Sequence, residues 1–280
     1  MFNAASKYAA IAAIILSAAS CTSEAERRAR AAEELRDQAA ALVESRDFEQ
    51  AMVLLDSLDA AYRDQTAVRR AGLAVRASAI EGLSISRIEP ADKRLALAQL
   101  AVDSLGALFT RIDGPRGLDA YSVASELARQ EVTASTGVQP RVDDDGYLSI
   151  AAVVKGRGIG LNSISVTTQS GTVQSEPQAP DRLIVSEGSE LASFRQEEVT
   201  DVLEALRDAA DGPAKLHLNG TRGTTEVKLT PALRAALVRS LQYAMARQEL
   251  RAAALERERL ERTLQTARDH KANAPLPGQQ

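Results

Sequence analysis

Few residues in this chain of 280 have side chains suited to catalysis or metal binding: two histidines, one cysteine, and carboxylates in clusters. His217 lies in the alternating stretch KLHL, where a strand would put it on the face opposite Leu216 and Leu218, toward solvent. A general base needs a nucleophile or a metal beside it, and His270 falls at the charged end of the last helical pattern. Metal sites take three or four ligands, and one ordered histidine without a cysteine does not supply them. Asp143, Asp144 and Asp145 in VDDDGYLSI are adjacent, whereas calcium loops space their acids alternately and add a distal glutamate. A turn opening a strand is expected there instead. KGRGIGLN (155–162) is glycine-rich and follows a strand pattern, which invites a phosphate loop. Neither G-x-G-x-x-G nor G-x-x-x-x-G-K-[ST] is met, and no helix follows to offer its N-terminus. The segment reads as a hairpin loop in which Lys155 and Arg157 are candidate anion contacts, with Arg222 nearby in the next hairpin. No G-x-S-x-G, H-E-x-x-H or S-x-x-K with its partners is present. The expectation is therefore no catalytic residue, no metal, no cofactor and no enzyme activity.

Composition narrows the partners. A net charge of −4 and a pI near 5.5 disfavour a nucleic-acid surface. With 3% aromatic residues and no tryptophan, little is available for stacking on sugars or bases. The single cysteine excludes an internal disulfide, so packing alone must hold the fold together.

That cysteine, Cys21, follows Lys7 and the apolar run YAAIAAIILSAAS (8–20). The run has the length of a signal-peptide core and is shorter than the roughly 20 residues a spanning helix needs. Ala18, Ala19 and Ser20 leading into Cys21 resemble the lipobox of bacterial lipoproteins, with Ala18 where the family most often has leucine. That resemblance implies cleavage before Cys21 and acylation of its thiol, hence a membrane tether without a membrane span. Thr22, in place of aspartate, resembles the outer-membrane sorting pattern and implies a periplasm-facing protein. The competing reading is an ordinary secreted protein cut at an A-x-A-like site, which leaves a free thiol unexplained.

The elements behind these residues divide the chain. Ser23 and Glu26 form an S-x-x-E capping box, so a helix is expected to start almost at the lipidated cysteine. Arg27, Arg28 and Arg30 would then be close to headgroups, or else form a solvated helix face. Residues 44–58, ESRDFEQAMVLLDSL, carry Phe48, Ala51, Leu54, Leu55 and Leu58 at helical spacing. Asp47, Phe48, Glu49, Ala51 and Met52 resemble the D-Y-E-x-A-I segment of a tetratricopeptide repeat, with Ala39 as the small residue of its first helix. One such unit is too few for a solenoid, so an irregular bundle of helical hairpins is expected. A third helix is predicted over QTAVRRAGLAVRASAIEGLSI, a fourth from Pro90 to Asp113-Gly114-Pro115, and a short one around LDAYSVASELARQEV.

Composition shifts near residue 137 toward alternating strand patterns at 146–154, 163–169, 171–177 and 182–188. A helix carrying Val199, Val202, Leu203 and Leu206 follows, then a hairpin around NGTRG. Thr230-Pro231 opens a last helix with Leu233, Leu237, Leu241 and Met245 in its packing half. Its charged second half has a thin stripe of Leu250, Ala253, Leu260, Leu264 and Ala267, suited to a two-helix seam with the N-terminal helix or another protein.

The reading is an α+β chain: signal peptide 1–20, tetratricopeptide-like hairpin domain 21–136, mostly antiparallel sheet module 137–230, long charged helix 231–270 and tail 271–280. Expected contact residues are Phe48, Leu55, Leu260 and Leu264, with an envelope protein as partner and self-association through the last helix as a further possibility. The leading expectation is a non-enzymatic envelope scaffold anchored through Cys21. A lipoprotein binding a small anion at the sheet module is the alternative, and an envelope hydrolase without a known motif is the third.

Overall fold

The computed structural model describes residues 23–113, 120–179, 182–186, 188–210 and 212–273. The expected signal peptide 1–20, Cys21, the Gly114-Pro115 stop and residues 274–280 of the expected tail lie outside them. The chain is α+β, with helices first, two antiparallel sheets, and a long last helix. It forms two compact units, one of residues up to Asp92 with those from Glu256 onward, the other Lys93–Leu255.

The helical unit begins with α1 (Glu24–Glu44) and α2 (Phe48–Ala61). The expected capping box closes α1: Glu26 donates its backbone N–H to Ser23 Oγ, and Ser23 donates its own to Glu26 Oε2, both at 3.2 Å. The turn to α2 places Arg46 at φ 66°, after which Asp47 caps α2 by accepting from the Gln50 N–H. Arg28 reaches from the first turns of α1 to Asp64 and the Ala61 carbonyl, which makes the hairpin antiparallel and holds the Asp64 carboxyl well below its usual range. Ala32, Ala39, Leu55, Leu58 and Val68 form its buried core.

The next helix differs from expectation. α3 (Thr66–Gly106) is continuous over 41 residues, with Pro90 inside it rather than opening a second helix. A proline there removes one backbone donor, and two residues on, Asp92 is ion-paired with Arg257. The C-terminal part of α5 (Pro231–Ala272) ion-pairs with α3, not with α1: Arg257 with Asp92, Arg268 with Glu81 at 3.2 Å, Lys271 with Glu81 at 2.9 Å. Lys271 and then Arg268 hold the Glu81 carboxyl below its ordinary range. The acidic side chains on α3 thus select the seam partner for a helix rich in arginine.

The second unit holds β1 (Phe109–Ile112), β2 (Tyr121–Ala124), β3 (Gly137–Asp143), β4 (Leu148–Lys155), β5 (Leu161–Thr168), β6 (Gly171–Gln174), β7 (Ile184–Ser186), β8 (Ser189–Arg195), α4 (Gln196–Asp208), β9 (Lys215–Gly220) and β10 (Gly223–Val227). Strand order is β1-β2-β3-β4-β8-β7 in one sheet and β10-β9-β5-β6 in the other. The short helix expected around residue 120 is instead strand β2 followed by turns, because Tyr121–Ala124 pair with β1 and β3. Strands β1, β3 and β8 were not foreseen. Val199, Val202, Leu203 and Leu206 of α4 are all buried against both sheets, as their spacing requires. Leu233, Leu237 and Leu241 join that core, whereas Met245 is 48% exposed and takes no part in it.

Candidate functional site

Two arrangements combine charge with geometry. The first is in the sheet unit, at the glycine-rich loop between β4 and β5. Glu190 is 2% exposed and its carboxylate is clasped by that loop. Ile159 N–H donates to Oε2 at 2.9 Å, Leu161 N–H to Oε2 at 3.1 Å, and Gly160 N–H to both oxygens at 2.9 and 3.0 Å. Arg222, from the turn joining β9 and β10, donates to Oε1 at 2.8 Å. Burial alone would push the Glu190 carboxyl up, but the loop N–H groups and Arg222 outweigh it and hold it below its ordinary value. A side chain at 158 would sit 2.3 Å from Glu190 Oε1, so the position must be glycine. Gly160 has φ +70°, a conformation open to glycine at little cost. The loop does gather an anion, and the anion is the chain's own. Arg222 is spent on it, while Lys155 and Arg157 are exposed, with no hydrogen bond or ion pair to Glu190 among the described residues.

The second arrangement is a groove in the helical unit, between α3 and the end of α5, with a volume of about 530 Å³. Leu73, Ala77 and Ile80 of α3 and Ala267 of α5 supply its apolar lining. Arg259, Arg262 and His270 line it from α5. Thr263 and Thr266 also line it, and their hydroxyls donate back to the Arg259 and Arg262 carbonyls, so they offer the groove no free proton. Arg76 lines it too, but its guanidinium is bound to Asp56 at 2.7 Å and Asp59 at 2.8 Å. Leu73 is 58% exposed.

The expected contact residues are not gathered at this groove. Leu55 is interior, 2% exposed. Phe48 is half-buried with its ring over Gly82 of α3, and Leu260 and Leu264 are half-buried on α5. The groove uses their neighbours in sequence, Arg259, Thr263 and Thr266. Its two halves were legible as Leu73 and Ile80 in an apolar series and as arginines on a charged helix; the pairing of α3 with α5 was not.

The acidic cluster at 143–145 is tied into the fold. Asp143 Oδ1 accepts from the Tyr147 N–H at 2.8 Å, forming the expected turn. Asp144 is bridged by Arg111, and Asp145 by Arg251 at 2.9 Å, so the three carboxylates do not converge. His217 is half-buried rather than solvent-facing, in register with Ser165 on β5 and Glu226 on β10. Its Nε2 is sheltered and has no hydrogen-bond partner among the described residues.

No helix among the described residues is long and apolar enough to cross a membrane. The chain matches no protein-family model, no curated protein and no solved structure.

Proposed function

We propose that this chain is a lipoprotein of the bacterial cell envelope, anchored through acylated Cys21, that acts as a non-enzymatic interaction or scaffold component. The open, basic-lined groove of the helical unit carries this reading, because a concave surface with a partly exposed aliphatic lining suits a binding partner. The anchor bears on it directly. α1 starts at Glu24, three residues after Cys21, and three residues span at most about 10 Å. An acylated Cys21 would therefore hold the first turn of α1 close to the headgroups. Thr22 after the cysteine favours the outer membrane as the destination.

Cys21→Ala is expected to abolish incorporation of a labelled fatty acid and to release the chain from floated membranes. A photo-crosslinking residue at Thr263 is expected to recover one defined envelope protein from the acylated chain and none from Cys21→Ala. Full labelling of Cys21→Ala would reject the anchor. Equal recovery from Thr263 and from exposed Tyr147 on the sheet unit, which is 58% exposed, would reject the groove as the contact surface.

A further inference from the structure

The face of α3 turned away from the sheet-unit core carries two leucines in the open. Within the second unit Ala98 of this helix is buried, and Val102 and Leu105 pack against that core. On the opposite side Leu97 is 67% exposed and Leu100 is 62% exposed. Among the described residues only Val185, on the edge strand β7, is a more exposed large apolar side chain. Lys93, Leu97, Leu100 and Ser104 recur at the 4-3-4 spacing of one helix face, and exposed Ala96 and Ala101 flank the leucines.

The sequence of that face selects its occupant. Residues 96–101 read Ala-Leu-Ala-Gln-Leu-Ala, and reversing them returns the same residue at four of the six positions. The two that differ stay off the face. Ala98 is buried, and the Gln99 side chain is turned to Asp103, donating from Nε2 to Oδ1 at 2.8 Å. When two copies of one helix pack antiparallel about a two-fold axis, position i of one meets position j of the other and j meets i. An axis between Ala98 and Gln99 sets Leu97 of one copy level with Leu100 of the other, and Ala96 level with Ala101. All four leucines then meet with only alanine methyls beside them.

Charge fixes the direction. Lys93 and Asp103 are exposed at opposite ends of the stripe. Antiparallel pairing brings Lys93 of each copy within one residue's rise, about 1.5 Å along the axis, of Asp103 of the other. Parallel pairing would set lysine beside lysine and aspartate beside aspartate. Two leucines and two alanines cover less than the roughly 800 Å² per partner of a stable dimer, so the contact is reversible.

We propose that this chain pairs with a second copy of itself through the Leu97/Leu100 face of α3, antiparallel about an axis between Ala98 and Gln99. This pairing goes beyond the interaction role above and uses none of the groove's residues.

The test uses bacterial cells that produce two differently tagged copies of the full chain, both with a photo-crosslinking residue at Leu97 or at Leu100. Irradiation is expected to give a band of twice the chain's mass that carries both tags. The same residue at Leu73 or Tyr147, each 58% exposed, is expected to give none. Lys93→Glu or Asp103→Lys, made in both copies, is expected to lower the yield roughly 3-fold or more, and the two together to restore it. Circular dichroism should not change, because both positions are exposed. Absence of the two-tag band at both leucines, or an equal band from Tyr147, would overturn the pairing. Single charge reversals that left the yield unchanged would overturn it as well. A crosslinked band carrying one tag only would overturn it in favour of a different protein on this face. Capture of an envelope protein at Thr263 without any two-tag band would reject the pairing alone and leave the interaction role standing.

Discussion

Glu190→Ala is expected to cost about 3–5 kcal/mol of folding stability, read as a lower urea midpoint at unchanged slope. The substitution leaves the N–H groups of Ile159, Gly160 and Leu161 without their acceptor, two of them on residues that are themselves buried. Unsatisfied buried donors cost about 1–3 kcal/mol each, so the loop rather than the ion pair carries most of the loss. Arg222, with its side chain 63% exposed, is correspondingly expected to cost under about 1 kcal/mol when changed to alanine. Glu190→Gln keeps one acceptor oxygen and should fall between the two.

The effect is pH-dependent with a definite sign. The Glu190 carboxyl titrates lower in the folded chain than its ordinary 4.5, so its charged form is favoured by folding. Its contribution is complete above that ordinary value and is lost as the pH falls through the lower folded-state value. The gap between wild type and Glu190→Gln should therefore narrow as the pH drops below 4.5. A gap that widened on acidification would contradict the clasp.

Gly82→Ala, in the middle of α3, is expected to destabilise the helical unit by about 1–3 kcal/mol, against the usual gain of about 1 kcal/mol for this change inside a helix. A Cβ at residue 82 would lie 2.2 to 2.6 Å from three atoms of the Phe48 ring. The ring would have to leave the place where α2 meets α3. Gly72, on the same helix, is the matched control. Its added Cβ would meet Leu58 Cδ2 at 3.3 Å and Leu55 Cδ2 at 3.6 Å, a contact small shifts absorb. Gly72→Ala is expected to be near neutral in the same thermal melts. If both alanines behaved alike, Phe48 would not be seated on Gly82.

What could be read from the sequence was what lies close together in it. The Ser23/Glu26 cap, the Val199–Leu206 face and the β9–β10 hairpin each span a few residues, and all three are present. The glycine loop was legible as a place for an anion, but the acid that fills it lies 29 to 31 residues further along, with no local pattern linking the two. Strand β3 was hidden by Pro140, a residue that ordinarily argues against a strand paired on both sides. Strand β8 was hidden because Glu190 takes an inward position where alternation calls for an apolar residue. Pro90 looked like a helix start because proline is favoured at the first helical position, and here a helix extends past it on both sides.

The Glu190 clasp joins three stretches of chain, around residues 160, 190 and 222, each some 30 residues from the next. Closing two loops of that size carries an entropic cost before any of its bonds can form. The clasp therefore belongs after the rate-limiting step of folding, once β4, β8 and the β9–β10 hairpin are in place. Interactions absent from the transition state govern how long a native protein lasts, not how fast it forms. On a chevron plot, Glu190→Ala should leave the refolding limb nearly in place and raise the unfolding limb roughly 100-fold or more. The buried carboxylate thereby sets the lifetime of the sheet unit, and with it how long the unit withstands a protease that cuts only what opens.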